Sequence, residues 1–173
     1  MNKAFVWIAA GALVAGCTAL SPTPAGPAAT TTLAPTQGSS AKGTVNFAQR
    51  GNKVVVVAKV SGLAPGSHGF HIHEKGDCSS PDAMSAGGHF NPTGKPHAHP
   101  STTERHAGDM PMLVADASGN ASLTTELDVI TIGGGATDIV GKAVIVHTDP
   151  DDFKTQPTGN AGGRVACGVI RAS

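Results

Sequence analysis

From residue 44 to residue 171 the chain is divided into seven or eight short strand-like runs, and that rhythm admits few architectures. Residues 44–49 stop at Arg50-Gly51-Asn52, and the β-branched run that follows continues to Val60, which reads as a hairpin through a tight turn. Residues 112–116 and 121–127 flank Ser118-Gly119-Asn120, a second hairpin signal, and residues 70–74, 142–148 and 164–171 complete the set. No window sustains a 3.6-residue apolar period, so helices should be minor. With 23 Gly, 12 Pro and only 3% aromatic residues, the composition suits short strands and turns better than long helices. The expected fold is all-β, an antiparallel sandwich or flattened barrel.

Two segments interrupt the rhythm. Residues 75–109 have little strand periodicity and residues 148–163 have none, and loops of that length in a compact domain are usually functional. The N-terminus has a different character. Lys3 precedes an uncharged stretch over residues 4–15, shorter than the roughly 20 residues that a spanning helix needs. Leu13-Val14-Ala15-Gly16-Cys17 resembles a bacterial lipoprotein box, so residues 1–16 read as a signal peptide of that type and Cys17 as the lipidated residue. An ordinary secretory signal that leaves Cys17 free is the alternative. Residues 17–41 are Pro, Thr, Ala, Ser and Gly with few bulky apolar side chains, which reads as a disordered tether. The folded domain is then expected over residues 42–173. Cys78 and Cys167 remain as natural disulfide partners in an exported chain. Twelve basic residues against twelve acidic ones give zero formal charge, which argues against a nucleic-acid partner.

The eight histidines carry the chemistry. His71 and His73 are two apart on a strand, so both face one side about 6.6 Å apart along it, half of a transition-metal site. His147 ends another strand and could approach from a neighbour. The long loop supplies His89, His97, His106 and Asp109; three imidazoles and a carboxylate suit a closed tetrahedral zinc site. A single histidine of this kind is more often a surface or core residue, whereas the whole set is far more specific.

Four segments resemble the signatures of copper/zinc superoxide dismutases of the bacterial type. They are Gly69-Phe70-His71-Ile72-His73-Glu74, Gly87-Gly88-His89-Phe90-Asn91-Pro92, Arg105-His106-Ala107-Gly108-Asp109 and Gly159-Asn160-Ala161-Gly162-Gly163-Arg164-Val165-Ala166-Cys167-Gly168-Val169. The resemblance runs from about residue 43 to residue 171 and implies a Greek-key fold with two long functional loops. It implies copper on His71, His73, His89 and His147, and zinc on His89, His97, His106 and Asp109, with His89 shared between the ions. It also selects His97 over His99, gives His68 no role at the metals, makes Asp151 the carboxylate behind His71 and His97, and sets Arg164 at the mouth of the copper channel as the anion guide. The implied activity turns two superoxide anions and two protons into oxygen and hydrogen peroxide by alternate reduction and reoxidation of copper, with His89 carrying a proton. The implied place is the periplasm or cell envelope, with the outer membrane favoured because Thr18 follows Cys17.

The stretch from His147 to Arg164 looks shorter than in eukaryotic relatives and carries only Lys154 among several acids, so substrate steering would depend on Lys75 or Lys95. A non-enzymatic copper- or zinc-binding protein on this scaffold is the alternative; it would lack a copper ligand or the channel arginine, and neither is missing. The resemblance leaves both monomer and homodimer open. His68 itself reads as structural or solvent-facing.

Overall fold

Along two long strands the apolar side chains alternate. Val45 and Phe47 in β2 (Lys42–Arg50), and Val54, Val56, Ala58 and Val60 in β3 (Lys53–Ser61), are buried. The residues between them are half or fully exposed, the period of a strand with one face on a core. The two strands pair in register from Lys42↔Ser61 to Arg50↔Lys53, closed by the two-residue turn Gly51-Asn52, where Gly51 takes a φ of +61°. The computed structural model describes residues 26–173.

The remaining strands are β1 (Ala28–Pro35), β4 (Gly66–His68), β5 (Phe70–His73), β6 (Leu113–Ala115), β7 (Ala121–Leu127), β8 (Ala143–His147), β9 (Arg164–Val169) and the short β10 (Arg171–Ala172), which pairs with β1. Their order is β4-β6-β7-β3-β2-β1-β9-β8-β5, antiparallel throughout. The end strands β4 and β5 are consecutive in the chain, broken only at Gly69, so the sheet curls into a nearly closed barrel. Among the described residues there is no α-helix, only a 3-10 turn at Met84–Ala86, and no helix is long and apolar enough to cross a membrane.

All the strand-like runs read from the sequence are strands here, and one expectation is overturned. Residues 28–35 of the tether expected over residues 17–41 are β1, in register with β2 from Ala28↔Ala48 to Leu33↔Gly43 and with β9 at Ala34↔Cys167. Ala29, Thr31, Leu33 and Ala41 are buried. A strand between two others draws much of its stability from backbone pairing and buries alternate positions, so small and β-branched residues suffice where bulky apolar ones are scarce. The expected signal peptide and Cys17 lie outside the described residues.

The loop over residues 74–112 and the loop over residues 148–163 hold no strand. Both fold back onto β5 and β8, whose residues are buried on both faces, including all four of β5 and all five of β8.

Candidate metal centre

Strand alternation sends Phe70 and Ile72 into the barrel core and His71 and His73 to the opposite face. The free edge of β5 is covered by the first loop. Ile72 N–H donates to Gly108 O (2.9 Å), Phe90 N–H to Ile72 O (2.8 Å), Glu74 N–H to Gly88 O (2.9 Å) and Gly108 N–H to Phe90 O (2.9 Å). Gly108 lies so close that a Cβ there would overlap the Ile72 carbonyl oxygen. This pairing lays His89 beside His73 and Asp109 beside His71. His147 joins from β8, where the register with β9 shifts after Val146.

Two groups of donors result. In the first, one ring nitrogen each from His71, His73, His89 and His147 converge, all within 4.8 Å of one another. The facing atoms are His71 Nδ1 and the Nε2 atoms of the other three, all buried without a hydrogen-bond partner. Four orphaned nitrogens in one place would carry a desolvation penalty of about 1–3 kcal/mol each. A metal ion accepts all four lone pairs at once. The opposite nitrogens are held: His71 Nε2 lies 2.6 Å from Asp151 Oδ2, and His73 Nδ1 donates to Gly87 O at 2.9 Å. Such contacts fix each ring's orientation.

In the second group, the Nδ1 atoms of His89, His97 and His106 lie 3.0, 2.9 and 3.4 Å from Asp109 Oδ1, and His106 Nδ1 is 3.3 Å from His89 Nδ1. Donors on a tetrahedron with zinc–ligand distances of about 2.0–2.1 Å would be about 3.3 Å apart, so the set fits a zinc-sized centre. Asp109 Oδ2 is fixed by the N–H groups of Ala98 and His106 at 3.1 Å each. His89 belongs to both groups, Nε2 in the first and Nδ1 in the second. Asp151 spans them from behind, with Oδ1 at 2.9 Å from His97 Nε2.

His99 lies outside both groups: it is exposed, with Nδ1 2.8 Å from Ser101 Oγ. His68 is buried, its two nitrogens 2.8 Å from the carbonyl oxygens of His147 and Ala64, so of its two readings the structural one holds and the solvent-facing one does not. Cys78 and Cys167 form a disulfide with Cα atoms 5.8 Å apart. Arg164, half-buried at the start of β9, donates from Nη1 to Ala83 O (2.7 Å) and from Nη2 to Gly87 O (2.6 Å). The Gly87 carbonyl therefore ties the guanidinium to the ring of His73. Lys95 is paired with Glu104 at 2.5 Å.

Motifs alone did not reveal the precision required at Gly159. Its φ is +67°, and a Cβ there would overlap Asp151 Oδ1 and crowd His97 Nε2. Its place at the head of the glycine-rich segment before Arg164 was the available signal. Gly159→Ala is expected to push Asp151 off His97 and weaken zinc retention about 10–100-fold, measured by competition with a zinc chelator.

Burial sets the protonation of the metal-free rings. It is the largest influence on His89 and His147 and lowers them to about 4 and about 3, with the charge of His71 adding to both. Burial also lowers His71 and His73. Burial opposes charge on His97 too, but Asp109 and Asp151 outweigh it and raise that ring to about 9. Asp109 and Asp151 are held below the usual carboxylate range by their histidine contacts, against the effect of burial. In the metal-free chain, unfolding therefore takes up protons as pH drops below about 6.5, because the unfolded rings protonate and the folded ones do not. Stability should fall from there toward pH 4 by roughly 1 kcal/mol per pH unit for each of His89 and His147. The support from a charged His97 is complete below about 6.5 and is lost as pH rises through about 9. Urea unfolding of the chelator-treated protein across pH checks both arms.

Residues 41–170 match the family model for copper/zinc superoxide dismutase. Superoxide dismutase (Cu-Zn) 2 of Brassica juncea is 48% identical over 136 residues, which cover 75% of this chain and 88% of that protein. The crystal structure of the clock protein EA4 superposes with a TM-score of 0.76 at 41% identity, covering 83% of this chain and 93% of that one. The orphaned nitrogens and the tetrahedral donor set could each hold a metal ion, and the match to the family places this chain in the copper/zinc superoxide dismutase family, an oxidoreductase with copper and zinc as its cofactors.

Proposed function

We propose that the enzyme dismutes superoxide at a copper ion held by His71, His73, His89 and His147, with zinc held by His89, His97, His106 and Asp109. One observation carries the assignment: His89 alone offers a nitrogen to each donor group. Copper, when bound, supplies the one-electron chemistry that zinc cannot. His89 Nε2 is the atom placed to hold and pass a proton while Nδ1 stays with the second group. Asp151 keeps the rings of His71 and His97 turned inward. Arg164 presents a fixed cation to the incoming anion, its direction set by the carbonyls of Ala83 and Gly87. The test is superoxide loss by the purified protein with copper and zinc counted alongside; a fully metallated protein without activity would overturn the reading.

The enzyme acts in the cell envelope of a bacterium, exported by residues 1–16 and tethered by a lipid on Cys17. The disulfide, at home in an oxidising compartment, and the Leu13-Val14-Ala15-Gly16-Cys17 box support this. Mass spectrometry of the mature N-terminus should find a diacylglyceryl cysteine, and an unmodified Cys17 would rule the anchor out. Lys75 contributes to steering: Lys75→Ala should slow the reaction severalfold at low ionic strength and leave it unchanged at high salt, where the field is screened.

A further inference from the structure

His97 lies in a loop without strand pairing, yet its backbone is buried with it. Its N–H donates to Gln156 Oε1 at 2.8 Å, and its C=O accepts from Gln156 Nε2 at 2.8 Å. Among the described residues no other group hydrogen-bonds either backbone atom. The side-chain amide therefore stands in for the peptide group of a neighbouring strand, 59 residues away in sequence. Only a side chain with both a donor and an acceptor, and of this reach, can make the pair.

The same short segment touches His97 twice more. Asp151 meets its Nε2, and the ring of Phe153 stacks over it with centroids 6.4 Å apart and planes 18° from parallel. Phe153 holds a φ of +55°, uncommon for a bulky side chain, and its N–H donates to Asp151 Oδ1 at 2.7 Å. Three side chains of one segment thus converge on a single histidine: on its ring nitrogen, on its ring face and on its backbone. Asp151 and Phe153 orient the ring, and Gln156 holds both backbone groups of the residue that carries it, next to the Ala98 N–H that donates to Asp109 Oδ2.

We propose that Gln156 is a positioning residue for zinc, locking the second loop onto the first by pairing with the backbone of His97. The inference rests on the reading of His97 as a zinc ligand. It predicts that zinc retention depends on a side chain that touches neither metal nor any ligand atom.

The experiment uses the copper- and zinc-loaded enzyme and follows zinc release to an excess of a chromogenic chelator, with hydrogen exchange of peptides covering residues 92–101. Gln156→Leu removes both hydrogen bonds and should release zinc about tenfold faster, with faster exchange in that segment and unchanged exchange in β2 and β3. Gln156→Glu keeps the acceptor for the His97 N–H, loses the donor to its C=O, and should fall between. Zinc release from Gln156→Leu at the parent rate would overturn the proposal, as would acceleration spread evenly over the barrel, the mark of general destabilisation. Should Gln156→Leu fail to fold, equal release from Gln156→Glu and the parent would overturn it just as well. A parent enzyme that holds copper but no zinc would instead sink the assignment of His97 to zinc, and this inference with it.

Discussion

Replacing His89 with alanine should remove zinc and disable copper in one step. The variant loses Nε2 from the first donor group and Nδ1 from the second, leaving three donors in each. Loss of a group merely adjacent to a metal ligand costs about 10–100-fold, so loss of a shared ligand should lower superoxide turnover by more than about 100-fold. The comparison that gives this weight is Asp109→Ala, which touches only the second group and should lose zinc while keeping copper. His99→Ala, at an exposed ring in neither group, should leave both metals and turnover as they are. Metal content by atomic absorption and superoxide loss by pulse radiolysis give the readouts. A His89→Ala protein with full zinc occupancy would refute the shared role.

Opening the Cys78–Cys167 bridge with a double serine variant should act on stability and on rate together. The bridge spans 89 residues, and in the chain-entropy view its loss costs roughly 4–5 kcal/mol, enough to lower Tm by about 10–15 °C in a domain of this size. The second effect follows from where the bridge sits. It ties the loop that contains Ala83 and Gly87 to β9, and those two carbonyls aim Arg164. Without the tie the guanidinium loses its fixed direction, so turnover should fall about tenfold even at temperatures where the fold persists and both metals stay bound. A variant that melts early yet runs at the parent rate would separate the two roles and remove the bridge from the placement of Arg164. Calorimetry and the rate at 10 °C suffice.

Strand periodicity was legible along most of the barrel because each strand buries alternate residues whatever its partner. It was not legible for β1, whose Ala-Ala-Thr-Thr-Thr-Leu run looks like a tether until β2 and β9 close around it. Nor was it legible for β4, whose Gly66-Ser67-His68 has no apolar side chain to alternate. The site divides in the same way. His71 and His73 could be paired from strand spacing alone, since an alternating backbone leaves both rings on one face. The resemblance to a family selected His97 over His99, and the folded chain shows what spacing could not: His97 buried between Asp109 and Asp151, and His99 exposed two residues on.

Residue types and local spacing were enough to specify a disulfide-closed β domain with clustered imidazoles, because strand alternation, turn chemistry and ligand chemistry are all local. The tertiary structure decided which nitrogens face one another, because that depends on the path of two long loops. Those paths are set by contacts that no local pattern encodes: Gly108 against the Ile72 carbonyl, Gly159 against Asp151 within the second loop, and the Gln156 amide on the backbone of His97. The histidines state that a metal is wanted; the loops decide where it can sit.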